Sequence, residues 1–132
     1  MALAIKFYRK MKNILIAESD PDMCADLTTF LGEKYRVCVA NSREEVLDCL
    51  SRKETDLLIV DVKVPVVKTL HLIQEAKNIR PELAVIVMYI YFDRIQDVEY
   101  LLRKVSDVCI RKPFDNYEVI LKAIQQLEKG KH

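Results

Sequence analysis

The chain has only two glycines among its 132 residues, Gly32 and Gly130, and that scarcity removes several enzyme classes at once. A dinucleotide fingerprint, a Walker phosphate loop and a nucleophile elbow each need glycines at fixed spacings, and none can be written here. The same shortage argues against a flavodoxin-type flavin phosphate loop. The four cysteines, Cys24, Cys38, Cys49 and Cys109, include no C-x-x-C pair and no histidine at ligand spacing, so neither a zinc site nor a dithiol motif has support. They read as small buried hydrophobes in a reducing cytosol. An excess of one charge is also missing. With 21 Lys and Arg against 20 Asp and Glu, nothing global draws the chain to nucleic acid or to an anionic membrane. The longest apolar run, Leu83 to Phe92, falls well short of the roughly 20 residues that span a bilayer. A soluble, cytoplasmic protein with one hydrophobic core is expected.

What is present is a ladder of alternating patterns. Short β-branched runs at Ile14–Ala17, Arg36–Ala40, Leu57–Val60, Ala84–Tyr89 and Asp107–Ile110 read as strands. Between them, apolar residues recur three and four apart: Cys24, Leu27, Phe30 and Leu31; Val46, Leu47 and Leu50; Leu70, Ile73 and Ala76; Ile95, Val98, Leu101, Leu102 and Val105; and Val119, Ile120, Ala123, Ile124 and Leu127. Helix starts are marked by Asp20-Pro21, by Ser42-x-x-Glu45 and by Asp115-x-x-Glu118, each of which sets an acceptor against unpaired amides. Gly32 suits a left-handed stop after the first helix. Five βα units with right-handed crossovers make an α/β fold of three layers, a doubly wound parallel sheet with helices on both faces. Residues 12–129 form the domain, with an extension at 1–11 and a tail at 130–132. The extension, MALAIKFYRKMK up to its junction, places its charge after its apolar part, the reverse of a secretory signal, and Met11 could itself be the initiator.

In such folds the functional groups sit at the carboxyl ends of the strands. The residues found there are Glu18, Ser19 and Asp20, then Asp61, Tyr89, and Lys112 with Pro113. Acids without His or Cys suit a hard divalent cation such as magnesium. A carboxylate can also attack a phosphoryl group where cationic charge offsets the phosphoryl oxygens. His71 follows Leu70 in the third helix and is expected to face solvent; Tyr89, Tyr91 and Phe92 read as core and loop cover.

Three stretches carry a resemblance. Asn13-Ile-Leu-Ile-Ala-Glu-Ser-Asp-Pro21, Asp56-Leu-Leu-Ile-Val-Asp-Val-Lys-Val-Pro65 and Ile110-Arg-Lys-Pro-Phe114 resemble, in order and separation, the signatures of response-regulator receiver domains of two-component signalling. The likeness runs from about Lys12 to Leu127. It implies a flavodoxin-like, CheY-like (βα)5 fold with strand order 2-1-3-4-5. It implies that Asp61 accepts a phosphoryl group from a histidine kinase or phosphotransfer protein, and that Lys112 pairs with Asp61 and then with the phosphoryl oxygens. Magnesium would be held by Glu18, Asp61 and the backbone carbonyl of Lys63. A downstream protein would bind the face made by the fourth helix, fifth strand and fifth helix.

Departures from that pattern stand beside it. Ser19 occupies the place of a second aspartate, so magnesium should bind more weakly. Tyr89 and Cys109 stand at the two switch positions, Lys68-Thr69 replaces an Asp-Gly, and Val105-Ser106 replaces a Gly-Ala. Asp61 and Lys112 favour a working phosphoacceptor, whose chemistry is limited to its own phosphorylation and dephosphorylation. Ser19, Tyr89 and Cys109 favour a degenerate receiver that binds proteins independently of phosphate.

Overall fold

Alternation of buried residues explains the layers. In the computed structural model, which describes residues 10–63, 65–90, 95–114 and 116–130 and of 95–98 the backbone alone, the strands are β1 (Asn13–Ala17), β2 (Arg36–Ala40), β3 (Leu57–Asp61), β4 (Ala84–Ile90) and β5 (Val108–Lys112). The helices are α1 (Pro21–Leu31), α2 (Arg43–Arg52), α3 (Val66–Ile79), α4 (Ile95–Val105) and α5 (Glu118–Glu128). All strand pairs are parallel, in the order β2-β1-β3-β4-β5. Successive side chains of a strand point to opposite faces. Leu57 and Ile59 therefore join Ile14, Ile16, Ile86 and Met88 under Leu27 and Leu31 of α1 and Ile120 and Ile124 of α5. Leu58 and Val60 join Leu15, Val85 and Val87 under α2, α3 and Leu102 of α4. Because both faces are covered, β3 is apolar at consecutive positions and buried from Leu57 to Val60, as central parallel strands are.

The starts of α1 and α2 follow their caps. Asp20 accepts from the amide of Asp22 at 3.0 Å, with Pro21 in the first turn. Ser42 accepts from Glu45 N–H at 3.1 Å, while the Glu45 carboxylate reaches back to Asn41 N–H. At α5, Asn116 Oδ1 accepts from Glu118 N–H at 2.9 Å; Asp115 lies outside the described residues, as do Tyr91 and Phe92 and the side chains of Ile95 and Val98.

Several expectations change. Gly32 is not left-handed: its φ is −64° and its ψ −14°, right-handed helical values. Glycine is needed there for space, since a Cβ would lie 2.5 Å from the Thr28 carbonyl oxygen. The cysteines are not buried hydrophobes: Cys24, Cys49 and Cys109 are half-buried, and Cys38 is exposed because the edge strand β2 leaves much of its surface uncovered. Met11, just ahead of β1, is buried in the α1/α5 layer and its amide donates to Glu128.

Candidate functional site

Register and strand length bring distant residues to one edge. Ala17 pairs with Val60 and Asp61 with Met88, so Glu18, just past β1, and Asp61, the last residue of β3, emerge side by side. Lys112, the last residue of β5, reaches them across the end of β4; the peptide bond to Pro113 is cis. Its Nζ lies 2.6 Å from Asp61 Oδ1 and 3.5 Å from Glu18 Oε1. These side chains are nearly enclosed, at 2% exposure for Glu18, 12% for Asp61 and 16% for Lys112.

Local bonds hold the acids in place. Glu18 Oε2 accepts from the amides of Ser19 and Asp20, at 3.0 and 3.1 Å, and Cys24 Sγ donates to the Glu18 carbonyl. Glu18 Oε1 and Asp61 Oδ1, by contrast, are buried oxygens without a hydrogen bond of good angle, so the Lys112 charge is what faces them. Burial by itself pulls the Lys112 ammonium down, yet Asp61 and Glu18 outweigh it, and its pKa is raised above the ordinary lysine value. Lysine in this setting stays charged at neutral pH.

The loop after β3 and the first turn of α3 add two side-chain contacts that the sequence did not predict. Thr69, buried in the first turn of α3, accepts from the Lys63 amide at 3.2 Å and ties the loop to the helix. Lys63 turns its side chain back over the site: its Nζ lies 3.7 Å from Asp61 Oδ2 and donates to Ser19 Oγ at 2.5 Å. Its long side chain could have been read only as a solvated loop lysine. A cleft of about 620 Å³ opens beside this cluster, between Asp61 and the start of α2, with Ala40, Val46 and Leu72 on its wall and the Arg43–Glu75 ion pair linking α2 to α3. His71 is exposed on its rim.

The two remaining predicted positions lie apart from this cluster in their contacts. Tyr89 is 3% exposed, and its hydroxyl donates to Glu99 of α4. Its pKa is pushed up to about 12, first by burial and then by that hydrogen bond and charge. Cys109 lies 3.3 Å from Ser106 Oγ, and burial is the main cause that raises its thiol. Asp20 is used as the α1 cap.

The donor set can be weighed for a divalent cation. Two buried carboxylate oxygens that face the Lys112 ammonium suit a hard ion, and the donor set is otherwise thin: among the described residues no three acids, histidines or cysteines group together. Glu18 and Asp61 fit such an ion, with Ser19 Oγ already engaged by Lys63.

Comparison with known proteins agrees with the fold. A family profile described as the response regulator receiver domain matches residues 14–125. The chain is 29% identical over 111 residues to the transcriptional regulatory protein ZraR of Escherichia coli O157:H7, covering 83% of this chain and 25% of that protein. It thus spans about a quarter of the length of the curated relatives it matches. Among solved structures, a CheY-like receiver domain protein from Methanospirillum hungatei JF-1 superposes with a TM-score of 0.73 at 23% identity, covering 92% of this chain and 97% of that one. A response regulator from Burkholderia pseudomallei, solved with a phosphorylated aspartic acid, a calcium ion and citrate, gives 0.73 at 24% identity over 89% of this chain and 68% of its own.

Proposed function

This chain belongs to the response regulator receiver domain family of two-component signalling, and from that premise we propose that it accepts a phosphoryl group on Asp61 from a histidine kinase or phosphotransfer protein. The observation that carries this reading is the convergence of Asp61 and Lys112 at 2.6 Å beside buried Glu18. An Asp61 oxygen attacks phosphorus, the bond from phosphorus to the donor nitrogen breaks, and the electron pair leaves with the imidazole. Lys112 holds Asp61 before transfer and then meets the added negative charge of the phosphoryl oxygens. Such charge stabilisation by groups already in place needs little reorganisation during the reaction. Magnesium, held by Glu18, Asp61 and the Lys63 carbonyl, would neutralise phosphoryl charge when bound. The neighbour with a phosphorylated aspartic acid and a calcium ion supports this assignment by analogy. On this reading the chain is a cytoplasmic phosphoacceptor rather than an enzyme with a separate substrate, and its output passes to a protein partner on the α4-β5-α5 face. Nothing in its near-neutral charge calls for direct contact with nucleic acid.

A second reading, a degenerate receiver that binds proteins without phosphate, is favoured by Tyr89, whose hydroxyl is bonded to Glu99. Incubation with a small phosphodonor and magnesium, read by intact mass, separates the two. The expected result is one phosphoryl adduct in the native chain, none in Asp61→Asn, and a reduced yield in Lys112→Ala. A folded native chain that gains no adduct at saturating donor overturns phosphoacceptance and supports the binding module.

A further inference from the structure

The position of the Lys63 side chain has a consequence for the metal. We propose that the Lys63 ammonium is a resident cation of the site, which takes up part of the role of the divalent ion and lowers the affinity for it. Its Nζ bonds Ser19 Oγ at 2.5 Å and lies 3.7 Å from Asp61 Oδ2. Lys112 approaches Asp61 through the other oxygen, Oδ1, at 2.6 Å. The Asp61 carboxylate thus has one ammonium group beside each of its oxygens.

The charges within the cluster balance. Glu18 and Asp61 bring two negative charges, and Lys112 and Lys63 bring two positive ones, so the cluster is neutral with no metal present. A divalent ion entering it must approach two cations and gains no net attraction from the cluster as a whole. Ser19 contributes no charge, and its hydroxyl oxygen already accepts from Lys63. Lys63 is 52% exposed, so solvent screens its field and its side chain can swing away; the competition is partial rather than a block. Conversely, a phosphoryl group on Asp61 adds negative charge, which Lys63 as well as Lys112 is positioned to meet.

The proposal deepens the assignment of Asp61 as phosphoacceptor and rests on it for the second step, while its first step concerns the free chain. Magnesium is titrated into isotope-labelled full chain and followed by amide shifts of residues 18–20 and 61–63, for the native protein, Lys63→Met, Lys63→Arg and Ser19→Asp. Removing a like charge a few ångströms from a divalent ion is expected to tighten binding about tenfold at low salt. Lys63→Met should show that gain, shrinking as salt is added, and Lys63→Arg should not. A Lys63→Met affinity within twofold of native, whatever Ser19→Asp does, overturns the proposal. Phosphodonor incubation of the same variants separates the two readings. If magnesium tightens on Lys63→Met but no protein gains an adduct, the resident cation stands and the phosphoacceptor assignment fails.

Discussion

The hydroxyl of Tyr89, one residue from the end of β4, donates to the carboxylate of Glu99 in α4, so a buried phenol joins the sheet to the helix that follows it. A side chain bonded in this way is a fixed strut under α4. Rearrangement of the site edge that moved Tyr89 would have to break that bond and desolvate or expose a polar group.

The phenol should therefore titrate late. A spectrophotometric titration is expected to show one tyrosine near pH 12 that is absent from Tyr89→Phe. The folded pKa lies above the ordinary tyrosine value of about 10, so the neutral phenol contributes stability below pH 10 that is lost as pH rises through about 12. Near neutrality, Tyr89→Phe should cost about 1 kcal/mol in urea unfolding.

Lys112 is the cation shared by two enclosed carboxylates. Lys112→Ala is expected to destabilise the fold by about 2–4 kcal/mol, because Glu18 and Asp61 are left facing each other without the cation between them. Adding Asp61→Asn should recover part of that loss, with a coupling of about 1 kcal/mol or more in a double-mutant cycle. The raised lysine pKa sets the pH sense: this stabilisation is complete below the ordinary lysine pKa and fades as pH climbs through the raised one.

Gly32 is a test of space rather than of backbone angle. Gly32→Ala should cost about 1 kcal/mol or more in thermal or urea unfolding, because its Cβ meets the Thr28 carbonyl oxygen although φ and ψ are ordinary. A left-handed glycine would be partly rescued by Asn. Gly32→Asn should be no better than Gly32→Ala.

Asp56 anchors the start of the sheet. Its Oδ2 accepts from the amides of both Lys12 and Asn13 at 2.9 Å. Asp56→Ala is expected to cost about 1–3 kcal/mol and to speed hydrogen exchange at Asn13. Exchange at Ile86 in the inner strand β4 should respond only through the change in global stability.

Much of this architecture was legible in local pattern. Leu57 to Val60 is apolar at every position because both faces of a parallel sheet are covered, and Val46 and Leu50 sit one turn apart because a helix repeats every 3.6 residues. Asp20 and Ser42 marked helix starts, since a short side-chain acceptor has its partner amides two or three residues away. Gly32 misled because the usual reason for glycine after a helix is a positive φ, whereas here a carbonyl oxygen approaches the missing Cβ. Cys38 misled because burial of a small apolar residue depends on whether its strand is central or at an edge.

The sequence by itself determined that Glu18, Asp61 and Lys112 would stand at strand ends, since period and punctuation are properties of neighbouring residues. Only the tertiary structure decided that Lys112 would lie 2.6 Å from Asp61, that Tyr89 would turn to Glu99 and that Lys63 would fold back onto Ser19. Those outcomes depend on the register of strands far apart in the chain and on the rotamers of long side chains. Both are chosen by packing and charge among residues that sequence spacing does not bring together.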